Sequence, residues 1–255
     1  VIKILDKGSF VAVVADGYWQ AENAIRQLEV EWTKTGAESI NQSDIFNAMR
    51  TAIDESGGKG KEDIAIGNVR RANADAARVY EAEYTVPFLA HAAMEPLNAT
   101  AWVRGDQIDL WSGLQNPLGV RDEIAGAFDV KKDNVAIHNV MLGGGFGRRS
   151  NPDYPMMAVE IAQEFDHPVK MIWSREQDTQ QDWYRPASVS RFKAGLDEDG
   201  MPVSWDNMFT EKHDPPEASQ IPYKIDNQLI QYTNAEHHIR FGPWRSVDHT
   251  QHGFF

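Results

Sequence analysis

The chain is 255 residues long, 42% hydrophobic and 25% charged, with a formal net charge of −13 and no cysteine. That length can bury a substantial core in one or two domains, and the acidic balance argues against a nucleic-acid partner, which wants a basic face. No apolar run reaches the length of a membrane span, and without cysteine the chain itself holds no disulfide, thiolate metal site or cysteine-ligated iron–sulfur cluster.

In chain order, Val1-Ile2-Lys3-Ile4-Leu5 begins inside a strand. Phe10 to Ala15 is almost wholly apolar and predicts a strand covered on both faces; Tyr18 to Trp32 predicts an amphipathic helix passing into a strand, together a β-α-β piece. From Thr33 to Asn73 the sequence turns polar. Ile45, Phe46 and Met49 predict a short helix there, Ser56 to Asp63 reads as a linker, and a domain boundary falls in this region. Val79 to Val86 and Asn98 to Trp111 predict strands, the latter folded into a hairpin at Arg104-Gly105-Asp106-Gln107. A helix over Pro117 to Phe128, a strand over Val135 to Leu142, a helix over Pro155 to Phe165 and a strand over Val169 to Trp173 follow. Arg191 to Leu196 and Pro202 to Phe209 flank Asp197-Glu198-Asp199-Gly200, whose Asp-Gly step favours a hairpin, and His213 to Tyr223 is a proline-containing loop. Strands alternate with helices, so the fold class is α+β, a mixed α/β chain.

The densest chemical signal is Val140-Met141-Leu142-Gly143-Gly144-Gly145-Phe146-Gly147-Arg148-Arg149. Glycines permit positive φ and let backbone N–H groups approach a ligand closely, while the helical spacing from Asp153 to Phe165 places a helix N-terminus where it would face an anion. Arg148 and Arg149 would add bidentate phosphate contacts. A tight turn with solvated arginines is the plainer alternative. A P-loop would need Gly-Lys-Ser/Thr at its end, and a Gly-x-Gly-x-x-Gly fingerprint would need glycine where Arg148 or Ser150 stands. Gln115 follows a strand and precedes Asn116-Pro117, which puts its amide at a strand's carboxyl end, where open α/β sheets often bind ligands; helix capping is the alternative.

Four separated segments together resemble the molybdenum-cofactor subunit of the xanthine dehydrogenase and aldehyde oxidase family, in the branch of isoquinoline 1-oxidoreductase beta subunits. They are Phe10 to Asp16 with Trp19 to Trp32, His91 to Ala101, Trp111-Ser112-Gly113-Leu114-Gln115-Asn116-Pro117 with the glycine loop behind it, and Gly242-Pro243-Trp244-Arg245-Ser246-Val247 followed by Gln251. The resemblance implies the end of an α/β hammerhead domain over 1–34, a linker or wrapping segment over 35–77, and the first half of a molybdopterin-binding domain over 78–255. It implies that Gln115 hydrogen-bonds an oxygen on molybdenum, that Phe146 and the Gly147 N–H approach the oxo side, that Trp244 and Arg245 border and back the cofactor, and that Gln251 bonds the pterin or its phosphate. Gly144, Gly145, Arg148 and Arg149 belong to the same cofactor-binding set.

The implied cofactor is molybdopterin cytosine dinucleotide, and the implied partners are the remainder of the molybdenum subunit, a small 2Fe–2S subunit and a cytochrome c electron acceptor. The reaction implied is oxidation of an aldehyde or N-heteroaromatic compound with water as oxygen source. Xanthine dehydrogenases carry glycine and lysine in place of Arg148 and Arg149, and a glutamate in place of Ser150, which argues against a purine substrate. The catalytic glutamate of the family is expected beyond Phe255, so the chain reads as an internal piece of a larger, bacterial subunit, inactive by itself. A non-catalytic scaffold or a split-chain half is the alternative, and periplasm and cytoplasm both stay open. His91 with Glu95, or His237, His238, Asp248, His249 and His252, can be drawn as metal sites, but a turn carboxylate bonded to backbone amides and ordinary packing explain them as well.

Overall fold

The computed structural model of the protein describes residues 1–211 and 220–246. In chain order its elements are β1 (Lys3–Asp6), β2 (Val11–Val14), α1 (Tyr18–Ile25), α2 (Gln42–Glu55), β3 (Lys61–Ile66), α3 (Val69–Asp75) and β4 (Arg78–Val86). There follow β5 (Asn98–Arg104), β6 (Gln107–Ser112), α4 (Pro117–Ala127), β7 (Val135–Asn139), α5 (Asp153–Ala162), β8 (Val169–Ile172) and α6 (Arg175–Gln180). The last three are β9 (Ser188–Leu196), β10 (Pro202–Thr210) and β11 (Gln228–Thr233). The fold is mixed α/β, and it divides into two units, each drawn from two separate stretches: Val1–Thr33 with His91–Asp182, and Lys34–Ala90 with Trp183–Phe255.

The first unit opens with the antiparallel hairpin β1–β2, Lys3 opposite Val14, followed by α1. The strand expected after the helix, within Tyr18 to Trp32, does not form; Val30 and Trp32 stay 41% and 58% exposed. The N-terminal piece is therefore a hairpin and a helix rather than β-α-β, and β2 is half-buried along its length rather than covered on both faces.

At the centre of this unit lies a four-stranded sheet in the order β7-β6-β5-β8. Alternation buries one face of each strand: Ala99 and Ala101 on β5, Ile108 and Leu110 on β6. These pack into one core with Val120 and Ile124 of α4 and Tyr154, Ala158 and Val159 of α5. Small residues at 99, 101 and 158 leave room for α5 to lie close on the sheet. α4 begins at Pro117, whose missing N–H costs nothing in a first turn, behind Asn116, whose side chain accepts from the Gly119 N–H at 3.1 Å. It joins β6 to β7, which run parallel and therefore need such a crossover, in register from Ile108 opposite Val135 to Ser112 opposite Asn139. The carboxyl ends of β6 and β7 thus lie side by side. β7 stops at Asn139 rather than Leu142, and the Asn139 side chain bonds to the Leu114 backbone.

The second unit is built on a five-stranded sheet in the order β3-β11-β10-β9-β4. β9 and β10 form the predicted hairpin, with Gly200 at φ +83° and the Met201 N–H donating to Asp197 Oδ1 at 2.8 Å. Residues 35–77, expected as a linker or wrapping segment with a short helix, supply α2, β3 and α3. α2 starts with a capping box in which the Asn41 side chain accepts from the Ser43 and Asp44 N–H groups while Asp44 accepts from the Asn41 N–H. Its Ile45, Met49 and Ile53 recur at helical spacing and are buried with Ala187, Val189 and Met208. β3 pairs antiparallel with β11, and β11 runs parallel to β10.

Candidate functional site

Two loops leave the adjacent carboxyl ends of β6 and β7, and Gln115 sits on one and the glycine loop on the other. Asn139, the last residue of β7, fastens them together: its Oδ1 accepts the Leu114 N–H at 2.8 Å and its Nδ2 donates to the Leu114 carbonyl at 3.2 Å. The Val140 N–H donates to Ser112 O at 3.1 Å, and the buried Tyr154 hydroxyl donates to Gly113 O at 3.1 Å. Burial pushes the Tyr154 phenol above its ordinary value, so this hydroxyl stays protonated and able to donate.

The glycines are required by close approach. A Cβ at Gly143 would stand 2.5 Å from Glu95 Cβ, one at Gly113 would stand 2.6 Å from Leu142 Cβ, and one at Gly145 would run into the Gln115 amide, whose Cδ lies 2.7 Å away. Gly144 and Gly147 also sit at φ +101° and +108°, where side chains are strained, and Phe146 takes φ +56°. Gln115 Oε1 accepts the Gly147 N–H at 2.9 Å. Among the described residues nothing accepts from Gln115 Nε2 or from the N–H groups of Gly144, Gly145 and Phe146. The loop, exposed at Gly143 and Phe146, half-buried at Gly144 and Gly147 and buried at Gly145, therefore presents a row of donors, which suits an acceptor-rich, anionic group. The half-exposed Phe146 ring and the exposed Met141 and Met94 give the same unit an apolar surface in this region.

The two arginines do not face outward. Arg148 is 2% exposed and Arg149 1%, against the expectation that they reach a phosphate. A buried guanidinium must find anions and acceptors within the protein. Arg148 makes a bidentate pair with Asp153, 2.8 Å for each bond, and its Nε lies 2.8 Å from Asp182 Oδ1, while Tyr154 and Trp173 flank it with ring centroids at 5.9 and 5.7 Å. Asp153 is also the first residue of α5, so that helix N-terminus already has an anion in its first turn, and a 3₁₀ turn over Arg148–Ser150 stands between it and the glycines.

Arg149 Nη2 pairs with Glu95 Oε2 at 2.8 Å, and the same oxygen accepts the Gly143 N–H at 2.8 Å. Burial would raise the Glu95 pKa, but the Gly143 N–H, the Asn98 amide and Arg149 outweigh it and hold the carboxyl below its ordinary value. Glu95 is thus a turn carboxylate bonded to a backbone amide, as expected, although that amide comes from 48 residues away. His91 pairs with Asp182, Nδ1 3.0 Å from both oxygens, and both side chains are almost fully buried.

Of the residues singled out in the sequence, the fold brings Gln115, Gly144, Gly145, Phe146 and Gly147 together and places Arg148 and Arg149 beneath them. Trp244, half-buried, and Arg245, exposed, belong to the second unit. Gln251, Asp248, His249 and His252 lie outside the described residues. His237 is packed between Phe88 and Phe241, its Nε2 3.5 Å from Glu211 Oε2. No group of three or more His, Asp or Glu among the described residues is arranged to hold a metal ion. Asn139, Asp153 and Asp182 were not legible as site residues, since nothing local distinguishes them from surface polar positions. A separate groove of about 920 Å³ in the first unit, lined by β2, α1 and β8, contains none of the predicted site residues.

A mixed α/β chain whose parallel strands end in a donor-lined glycine loop is the class of protein that the fold and this geometry define. Residues 53–231 match the molybdopterin cofactor-binding domain, and the chain belongs to that family. The match begins inside the segment expected as a linker or wrapping segment. The chain is 32% identical over 189 residues to a membrane-bound aldehyde dehydrogenase (pyrroloquinoline-quinone) of Gluconacetobacter polyoxogenes, covering 74% of this chain and 24% of that protein. It is 32% identical over 120 residues to the isoquinoline 1-oxidoreductase subunit beta of Brevundimonas diminuta, covering 47% of this chain and 15% of the relative. Among solved structures, quinoline 2-oxidoreductase of Pseudomonas putida 86 superposes with a TM-score of 0.73 at 17% identity, over 92% of this chain and 32% of that one. The chain thus spans a quarter or less of these curated relatives' length. No helix among the described residues is long and apolar enough to cross a membrane.

Proposed function

We propose that this chain is the part of a molybdenum hydroxylase's large subunit that cradles the pterin cofactor, in an enzyme that oxidises an aldehyde or an N-heteroaromatic compound. The observation that carries the reading is the row of donors formed by Gln115 Nε2 and the N–H groups of Gly144, Gly145 and Phe146, held in place by the bond from the Gly147 N–H to Gln115 Oε1. A molybdenum cofactor, when bound, supplies two-electron oxidation with water as the source of oxygen. The residues of this chain would bind and orient it: the amide donors would hold its oxygens, and the Phe146 ring would give it an apolar neighbour. Trp244, Arg245 and Gln251 are proposed as further cofactor-binding residues on the sequence resemblance alone.

The names of the relatives, an aldehyde dehydrogenase and an isoquinoline oxidoreductase among them, support the proposed substrate classes. The cytosine dinucleotide form of the cofactor, a 2Fe–2S subunit as electron partner, a cytochrome c acceptor and a catalytic base outside these 255 residues belong to the same proposal. The domain assignment over 1–34 and 78–255 rests on it too, with 35–77 now read as part of the folded second unit. Molybdenum content of the native complex, isolated through this chain, tests the reading. About one metal per complex is expected for one cofactor site, and its absence from a complex of intact mass would overturn the reading.

A further inference from the structure

Three segments that are far apart in sequence meet at one guanidinium. Arg149 Nε donates to Gly144 O at 2.9 Å, Nη1 to Gly113 O at 3.4 Å, and Nη2 to Glu95 O at 2.9 Å and to Glu95 Oε2 at 2.8 Å. Those acceptors lie on the glycine loop, on the loop that leads to Gln115, and on the turn before β5. Two backbone bonds complete the junction: the Gln115 N–H donates to the Arg149 carbonyl at 3.0 Å, and the Glu95 N–H donates to Gly143 O at 3.2 Å. Glu95 is the counterpart. Its Oε2 collects the Gly143 N–H and Arg149, and its Oε1 accepts from Asn98 Nδ2 at 3.1 Å.

We infer that Arg149 and Glu95 are positioning residues that set the distance between the Gln115 amide and the donor row from Gly144 to Phe146. The inference rests on the reading of that row as the cofactor cradle, and it gives Arg149 a role that a phosphate-binding arginine would not have. Geometry rather than charge does this. Only a planar guanidinium with donors on three nitrogens reaches three loops at once, whereas an ammonium at the same place serves one or two acceptors. Glu95 must likewise be long enough to reach Gly143 and Arg149 together. Glu95→Gln keeps that reach and loses the charge; Glu95→Asp keeps the charge and loses the reach.

The test is amide hydrogen exchange, corrected for intrinsic rates, over the peptides covering 113–116 and 141–149, with molybdenum content read in parallel on the complete subunit co-expressed with its partner subunits. Arg149→Lys and Glu95→Asp should each speed exchange of both peptides about tenfold, the factor that loss of one charge-assisted hydrogen bond gives, while Glu95→Gln stays within about threefold of the wild type. The molybdenum content of Arg149→Lys should fall with the faster exchange. Exchange kept at the wild-type rate by Glu95→Asp and sped by Glu95→Gln would overturn the positioning role in favour of simple charge neutralisation. Unchanged exchange in Arg149→Lys and Glu95→Asp would overturn it as well. The cofactor reading fails separately, if the wild-type subunit takes up no molybdenum while its loop exchange responds as described.

Discussion

Gly143 and Gly145 stand two positions apart, yet one added methyl group has different consequences at each. At Gly145 the new carbon meets the far end of the Gln115 side chain, which can swing aside. Gly145→Ala should therefore cost less than about 1 kcal/mol of folding stability, while depriving the Gly147 N–H of its acceptor and weakening cofactor retention roughly tenfold. At Gly143 the new carbon meets Glu95 Cβ, which is fixed by its own backbone, so Gly143→Ala should destabilise by about 1–3 kcal/mol. Urea denaturation and molybdenum content of the two variants check the contrast, and equal stability losses would contradict it. Sequence spacing marked the glycine loop and placed Gln115 at a strand end, because both signals are local. It could not say why the glycines are glycines, since their neighbours come from distant segments. It misplaced the side chains of Arg148 and Arg149 for the same reason: adjacent arginines after glycines look solvent-facing until Asp153, Asp182 and Glu95 are brought against them.

Among the elements, α2 shows where mean polarity misleads. Its sequence reads as mostly polar because only the stripe Ile45, Met49 and Ile53 is buried, while its start is fixed by side-chain capping. Asn41→Ala removes the acceptor for two N–H groups and should cost about 0.5–2 kcal/mol in urea denaturation, with Asn41→Asp close to neutral. The hairpins β5–β6 and β9–β10 were legible because turn chemistry is local, whereas the parallel pairing of β10 with β11 was not. The N-terminal hairpin gives a pH prediction. Glu164, between Lys3 and Lys7, is drawn down from an ordinary 4.5 to about 2 by its bonds to Lys3 and Lys7 and by their charge. A carboxylate depressed on folding stabilises above its unfolded pKa, and the contribution is lost as pH falls through the folded one. Exchange protection of β1 and β2 should therefore decline between about pH 4.5 and pH 2. It should decline earlier with added salt, since the pair is exposed. The Glu164→Gln variant should lack this step, and a step that persists in it would assign the transition to another carboxylate.

At the scale of the whole molecule, the chain passes between units after Thr33, Ala90 and Asp182, so neither unit is a contiguous segment. Each has its own buried cluster, and the two share no residue: Leu110, Ile124 and Tyr154 belong to one, Met49, Val189 and Met208 to the other. Large-to-small substitution in a packed core removes transfer free energy and leaves a cavity, so Leu110→Ala and Met49→Ala should each cost about 2–5 kcal/mol. The location of the loss is the informative part. Leu110→Ala should lower amide protection in β5, β6 and α5 and leave α2 and β10 as they were; Met49→Ala should do the reverse, and the double variant should be additive within about 0.5 kcal/mol. Protection lost evenly across both units from either substitution would mean one cooperative core despite the separate clusters. The outcome bears on function because the whole donor row, with Gln115, Glu95, Arg148 and Arg149, lies in the first unit. If the units open independently, Met49→Ala leaves that geometry intact at the same urea concentration where Leu110→Ala has already dissolved it.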